Sequence, residues 1–321
     1  MSRFWSRSPE LSSIGNRPCV TLVNVRLMAI AWLGLLISAP CLFAQQKPTK
    51  PEIAEKDLIT KDDFKLKITY FKSTAGPDAP VIVMLHGKRG TRLQWKGLAS
   101  DLQQKGDFAV VTVDLRGHGE SPLHKKAELR KSDYQAMVAL DMEAVKEFLL
   151  EEHTKKHLNM NKLGIVACEF SASVAILFTE LDWEKIPFDD SPTVADKTPR
   201  GQDVQALALI SPDANTPGLS TIKAIAAIRA LKRPIMIAVA DKNAHDLAAA
   251  TKIFDQLIVK KDKEKDKEDP PYLWKYEENF SGMDLVTKNP NVRNHIFAFL
   301  TKYVKEYKSE WRERRSQLDR E

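Results

Sequence analysis

Continuous apolar runs recur along this chain, and most are followed by a segment whose apolar residues have helical spacing. Such runs are typical of strands that are buried on both faces of a sheet. They lie at residues 81–87, 108–114, 163–167, 204–210 and 234–240. Because strand and helix alternate from residue 81 to residue 307, the pattern predicts an α/β fold. We expect a doubly wound, mostly parallel sheet flanked by helices.

Segments on either side of these runs complete the predicted sheet. Residues 63–73 alternate apolar and polar side chains, as a half-exposed antiparallel strand does. Residues 272–280 are predicted to form the last strand, and residues 291–307 the closing helix. The stretch 183–202 is rich in Pro and Asp and too short for a lid domain, so it is interpreted as a minimal cap.

The N-terminus has the order of a secretory signal peptide. Arginines precede an apolar run at residues 27–39, and small and polar residues follow it. We expect cleavage after Ala44 and therefore an exported protein, periplasmic or secreted, with no membrane span in its mature chain. The alternative is an uncleaved membrane anchor formed by residues 27–44, because 18 residues reach the lower limit of a span.

Composition divides the rest of the chain into three parts. Residues 45–58 begin with a Pro- and Lys-rich stretch and are interpreted as a linker. Residues 59–307 hold the predicted α/β domain, and residues 308–321 a charged C-terminal tail.

Charge and cysteine content exclude several classes of function. The formal net charge is +6, without a stripe of basic and aromatic residues, so nucleic-acid binding is not expected. After the leader only Cys168 remains of three cysteines, so no internal disulfide is possible. No clustered metal ligands and no phosphate-cradling loop occur, and we therefore expect no metal and no cofactor.

Three motifs carry a resemblance to a known superfamily. They are VIVMLHGKRG, VVTVDLRGHGES and GIVACEFSAS, which begin at residues 81, 110 and 164. Over about residues 60–305 the chain resembles the α/β-hydrolase-fold superfamily of serine esterases and peptidases. The resemblance implies a nucleophile on a tight strand-to-helix turn flanked by small residues, with an acid and a histidine on later loops.

Each of the three positions that the resemblance marks as catalytic holds another residue type. Glu169 stands at the nucleophile, between small residues at 167 and 171. Asn243 stands at the acid, with Asp241 and Asp246 near but out of frame, and Ser281 stands at the histidine. Neither Asn nor Ser accepts a nucleophile's proton near neutral pH, so an intact triad is not expected.

The resemblance also implies an oxyanion hole made by the backbone amides of Lys88 and Phe170, with His86 and Gly87 lining the pocket. We expect the Glu169 carboxylate to fold back onto those amides or onto the Lys88 side chain. A second alignment makes Ser173 the nucleophile, but it leaves Glu169 inside the strand.

Three functions stay open on this basis. The substitutions favour a degenerate, non-catalytic member that binds or scaffolds a small molecule or a protein. The alternative is an active hydrolase of ester or amide bonds with a non-standard triad, using a residue such as Ser173. A third possibility is a different chemistry in which Glu169 acts as an acid or a base.

Overall fold

The computed structural model describes residues 51–123, 128–258 and 270–319. These residues contain one eight-stranded sheet with the order β1-β2-β4-β3-β5-β6-β7-β8. The strands are β1 (Ile53–Ile59), β2 (Lys65–Phe71), β3 (Val81–Leu85), β4 (Ala109–Asp114), β5 (Leu163–Cys168), β6 (Val204–Ile210), β7 (Ile235–Ala240) and β8 (Tyr272–Tyr276). The pairs β1–β2 and β2–β4 are antiparallel, and every other pair is parallel.

Helices cover both faces of this sheet. They are α1 (Lys96–Gly106), α2 (Lys131–Ala136), α3 (Met142–Thr154), α4 (Ser171–Glu184), α5 (Ile222–Ala230), α6 (Ala244–Leu257), α7 (Gly282–Lys288) and α8 (Pro290–Leu300), with one turn of π-helix between α2 and α3. Side chains of β3 alternate between two cores: Val83 packs with α3 to α6, and Met84 packs with α1, α7 and α8. The predicted fold class is therefore confirmed.

The ends of the domain differ from the sequence prediction. The signal peptide predicted at residues 1–44 lies outside the described residues, as does the start of the predicted linker. Residues 53–58 of that linker belong to the edge strand β1, whose charged side chains hid its pairing. The tail predicted after residue 307 packs against the domain, because Arg314 is 3% exposed. Across residues 51–123, 128–258 and 270–319, no helix has the length and apolar character that a membrane span needs.

The loop at residues 183–202 does not form a cap over the carboxyl ends of the strands. Helix α4 starts beside the carboxyl end of β5 and runs back along the sheet, so the loop after it leads into the amino end of β6. The prediction placed this loop at the wrong edge, because its position was inferred from order along the chain. The cap interpretation of residues 183–202 is therefore wrong.

Candidate functional site

The turn between β5 and α4 has the geometry of a nucleophile elbow. β5 ends at Cys168, α4 begins at Ser171, and Glu169 between them has a φ of +52°. A side chain in this left-handed conformation costs backbone energy, which the surrounding bonds must offset. The buried Ser171 hydroxyl supplies one of them, since it accepts from the Cys168 amide at 3.0 Å.

The Glu169 carboxylate binds one of the two backbone amides that the resemblance assigns to an oxyanion hole. The backbone amide of Lys88 donates to its Oε2 at 2.5 Å, as the sequence predicted. A Cβ atom added at Gly87 would lie 2.6 Å from Oε2, and one at Gly282 only 2.1 Å from Oε1. Two glycines thus leave the space that the carboxylate fills. Among the hydrogen bonds of the described residues, none joins the Phe170 amide to this carboxylate.

Glu169 is surrounded by more negative than positive charge. Burial raises the pKa of its carboxyl, the Lys88 amide lowers it, and the charges of Asp213 and Asp246 raise it further. The Lys88 ammonium lies 2.8 Å from Oδ2 of Asp213, and this bond raises the pKa of Lys88. The sequence reading missed Asp213, which follows β6 and whose amide donates to the Glu169 carbonyl.

Asp246, and not Asn243, is the residue that contacts Ser281. Asn243 caps helix α6, where its Oδ1 accepts from the Asp246 amide at 3.1 Å. The Ser281 hydroxyl donates to Oδ2 of Asp246 at 2.5 Å. Counting along the loop after β7 led to Asn243, because the count did not include the helical turn that brings Asp246 back toward Ser281. The assignment of Asn243 to the acid position is corrected accordingly.

The structure brings the Ser281 turn to the elbow. Gly282, the next residue, approaches the Glu169 carboxylate, and its amide donates to the Ser211 hydroxyl at 3.0 Å. Of the three positions that the resemblance marks as catalytic, Glu169 therefore lies next to the turn that contains Ser281. Asn243 instead caps helix α6. His245 lies 3.3 Å from Oδ1 of Asp246, on the oxygen that Ser281 does not use, and its side chain is 84% exposed.

His86 orders the loop that carries Lys88. Its Nε2 accepts from the Leu115 amide at 3.1 Å, so its Nδ1 carries the proton and donates to the Gly87 carbonyl at 2.8 Å. Complete burial, together with the neighbouring His118, lowers the pKa of His86 to about 4. Both ring nitrogens of this neutral imidazole are occupied, so His86 supports the loop and is not placed to act as a base.

Ser173 and Cys168 are packed inside the domain. Ser173 lies in the first turn of α4, is 4% exposed and accepts from the Thr216 hydroxyl at 3.0 Å. The alignment that makes it the nucleophile is wrong in geometry, because β5 ends at Cys168 and the elbow lies at Glu169. Burial raises the pKa of the Cys168 thiol well above its usual value. In the part of the chain that is described, no histidine hydrogen-bonds Glu169, Ser173 or Ser281.

No set of three or more His, Cys, Asp or Glu side chains within residues 51–123, 128–258 and 270–319 is arranged to hold a metal ion. The ionisable groups at the elbow are instead engaged with one another. Lys88 pairs with Asp213, and Asp246 accepts from Ser281. Chemically, the arrangement presents carboxylates at the point where hydrolases of this fold present a nucleophile and an empty oxyanion hole.

Comparisons with known proteins agree with this architecture. A family model described as the alpha/beta hydrolase fold matches residues 80–160. Protein phosphatase methylesterase 1 of Bos taurus is 26% identical over 91 residues, which are 28% of this chain and 22% of that protein. The Mus musculus protein is 27% identical over 90 residues. The chain thus matches about a fifth of the length of these curated relatives.

Solved structures extend the likeness over most of the chain. Dienelactone hydrolase from Anabaena variabilis has a TM-score of 0.55 at 15% identity, with 79% of this chain and 99% of that one covered. Esterases of Rhizomucor miehei give 0.56 at 16% identity, with 80% and 86% covered. The strand order, the elbow and these matches define an α/β-hydrolase-fold protein, and the resemblance seen in the sequence is confirmed.

Proposed function

We propose that this protein is a non-catalytic α/β-hydrolase-fold protein that acts by binding a small molecule or another protein. The observation that carries the proposal is the 2.5 Å hydrogen bond from the Lys88 amide to the Glu169 carboxylate. In a hydrolase this amide waits for the negative oxygen of a transition state. Here the chain supplies its own negative oxygen, so a substrate oxyanion has to displace a tethered one.

The residues around Glu169 support the same conclusion. A hydrolase needs a group that takes the proton from the nucleophile or from water. The Ser281 hydroxyl stands at that position and donates to Asp246 instead. A carboxylate is also a poor nucleophile at a carbonyl carbon, and the departures at Glu169 and Ser281 together favour loss of acyl transfer over a variant of it.

Ester hydrolysis is the rival function, and two observations favour it. The curated relatives are named methylesterases, and His245 lies beside Asp246 at 3.3 Å. A histidine in contact with a carboxylate could act as a general base if the exposed imidazole turned toward the elbow.

Reaction with a fluorophosphonate probe and with a simple aryl ester distinguishes the two functions. The purified wild-type protein is expected to show neither labelling nor turnover above a denatured sample. His245→Ala removes the histidine on which the rival function depends, and Ser173→Ala removes the serine of the second alignment, which the position of the elbow argues against. Labelling or turnover that disappears in either variant would establish a hydrolase and overturn the binding proposal.

We propose further that the protein is exported, because residues 27–39 and the arginines before them have the order of a signal peptide. N-terminal sequencing of protein from its native host is expected to begin near Gln45. A membrane-bound protein with an intact Met1 would favour the anchor at residues 27–44, and a soluble one with Met1 would contradict export.

A further inference from the structure

A segment near the C-terminus, residues 309–317, packs along the amino ends of β5 and β6, at the edge of the sheet opposite Glu169. We call it the C-terminal strap. It contains no helix or strand before residue 317, and side chains of the domain bind its backbone. Asn159 Nδ2 donates to the Ser309 carbonyl at 3.0 Å, and Asn161 Nδ2 to that of Glu310 at 3.3 Å.

Arg314 anchors the strap in a buried group of charges. Its Nη2 donates to Asp203 Oδ2 at 2.9 Å, and its Nε to the Pro199 carbonyl at 3.0 Å. Asp203 also pairs with Lys146 at 2.9 Å, and Lys146 pairs with Asp182. Two cations and two anions are thus buried together, and the strap supplies one of the cations.

His153 at the end of α3 holds the strap in a second way, and its hydrogen bonds show a neutral imidazole. Its Nε2 lies 2.8 Å from the Arg312 carbonyl and must donate a proton to it. Its Nδ1 accepts from the Met160 amide at 3.2 Å and therefore carries no proton. The ring stacks on Trp311 of the strap, with centroids 4.9 Å apart and an interplanar angle of 20°. The Trp311 indole donates in turn to the His153 carbonyl at 3.0 Å.

We propose that His153 is an acid-sensitive latch, and that its protonation releases the C-terminal strap from the domain. An imidazolium carries a proton on both ring nitrogens, so it cannot accept the Met160 amide. Protonation therefore sets two donors against each other in a fully buried place that Trp311 of the strap covers, and moving the strap away lets water reach the charged ring. No covalent step is involved.

Burial keeps the His153 ring neutral, although most of the groups that face it favour the imidazolium. From the strap, the positive charge of Arg314 disfavours the imidazolium, and the Arg312 carbonyl favours it. Asp203, at the start of β6, favours the imidazolium, while the Lys156 ammonium lies 5.3 Å from the centre of the Trp311 ring. Burial is the largest cause, and the pKa of His153 is lowered.

The direction of the pH effect follows from this shift. An exposed histidine has a pKa of about 6.5, and the folded pKa of His153 is lower. At a pH between these two pKa values, His153 is protonated when the strap is released and neutral when the strap is bound. The bound form therefore loses stability relative to the released form as the pH falls. At neutral pH the latch is closed.

Release would free more than the strap. The loop before β6 is tied to it, since Gln317 donates to Asp190 through its amide at 2.9 Å and to the Asp196 carbonyl through Nε2 at 2.9 Å. Opening the strap would therefore loosen residues 186–203 and uncover Asp203. Glu169 lies at the other edge of the sheet, so the latch acts on a separate surface.

Hydrogen exchange tests the latch directly. Amide exchange of peptides covering the strap and β5 is measured from about pH 7.5 to about pH 4.5 and corrected for intrinsic exchange rates. The strap of the wild-type protein is expected to lose about tenfold or more protection over this range while β5 keeps its own. Loss in both together would mean global unfolding and would overturn the proposal.

The His153→Gln variant is the matched control, because a glutamine can donate and accept at similar positions but does not titrate. Its strap is expected to stay protected at the acidic end, and parallel loss would overturn the latch. If the variant opens the strap at every pH, an NMR titration of the wild-type His153 ring decides instead. Its midpoint must coincide with the loss of strap protection, and a separation of about one pH unit or more would contradict the proposal.

Discussion

The Ser281 hydroxyl donates to Oδ2 of Asp246 at 2.5 Å, although the two residues are 35 positions apart. A carboxylate therefore stands beside the position where the fold's histidine would be, and its partner is a hydroxyl. On the resemblance to α/β-hydrolases, Asp246 corresponds to the acid of a triad, and Glu169 and Ser281 correspond to its nucleophile and base. This division suggests which changes would restore chemistry and which would not.

Replacing both missing groups is expected to give hydrolysis, and replacing one is not. Glu169→Ser alone should leave an aryl ester unhydrolysed above background, because no base stands at position 281. Glu169→Ser combined with Ser281→His should exceed the single variant by about 10²-fold, because a histidine there would be oriented by Asp246. Initial rates of p-nitrophenyl acetate hydrolysis measure the difference.

Asp246→Asn in that double variant is the control, and it should remove most of the gain. Turnover by Glu169→Ser alone that depends on His245 would show that a surviving base had been overlooked. Equal rates in the single and double variants would contradict the assignment of Ser281 to the histidine position.

Glu169→Gln should increase the free energy of unfolding at neutral pH. The pKa of Glu169 is raised in the folded protein, so folded protein binds more protons than unfolded protein just above the usual value of about 4.3. The free energy of unfolding of the wild-type protein therefore decreases as the pH rises from the unfolded to the folded pKa of Glu169. The variant has no carboxyl group at this position, so it does not show this decrease. We expect a gain of about 1 kcal/mol or less above this pH range, because the side chain is partly exposed.

Urea unfolding at several pH values measures this difference. The exposed residue Glu151 on α3 provides the control, since Glu151→Gln removes a carboxylate from the surface and leaves the elbow unchanged. A Glu169→Gln variant that is less stable at every pH would mean that the ionised carboxylate stabilises the elbow.

Lys88→Met should raise the pKa of Glu169 further. The Lys88 charge lowers this pKa, and its loss also leaves Asp213 without the ammonium 2.8 Å away. The backbone amide of residue 88 still donates to the carboxylate, so only the charge changes. Carbon-13 NMR of the glutamate carboxyl groups follows the titration, and the Glu169→Gln spectrum assigns the signal. Lys88→Arg, which keeps the charge, should restore the wild-type value, and an unchanged value in Lys88→Met would contradict the coupling.

Arg314→Ala should destabilise the whole domain. It removes one cation from the buried group formed with Asp203, Lys146 and Asp182 and leaves an anion uncompensated. Removal of one partner from a buried pair typically costs about 3–5 kcal/mol. Arg315→Ala, next to it but about half exposed, should cost about 1 kcal/mol or less. Thermal unfolding compares the two variants, and a similar decrease in Tm for both would argue against a buried group of charges around Arg314.

The sequence predicted the elbow well because its signals are local. A buried strand that ends at small residues before a helix can form few other turns, and Glu169 was placed from that frame. Asp246 was harder to assign, since its contact with Ser281 joins two loops and depends on where α6 begins. The spacing of these residues in the sequence does not indicate the first turn of α6, which brings Asp246 to Ser281.

The ends of the domain were less predictable for a different reason. A charged segment such as residues 308–321 is usually exposed, and the sequence does not distinguish a buried arginine from an exposed one. Arg314 is buried because Asp203, 111 positions earlier, lies beneath it. Strand β1 was missed in the same way, because its charged side chains resemble those of a linker.

The carboxylate between Gly87 and Gly282 also links changes at these three positions to one another. A methyl group at either glycine would overlap Glu169, at 2.6 Å and 2.1 Å respectively. A side chain at position 87 or 282 would therefore push the Glu169 carboxylate aside, and at 282 a positive φ adds its own strain. Any mutational path that rebuilds this pocket by single steps would thus remove or displace the carboxylate that accepts from the Lys88 amide, whichever of the three positions changes first.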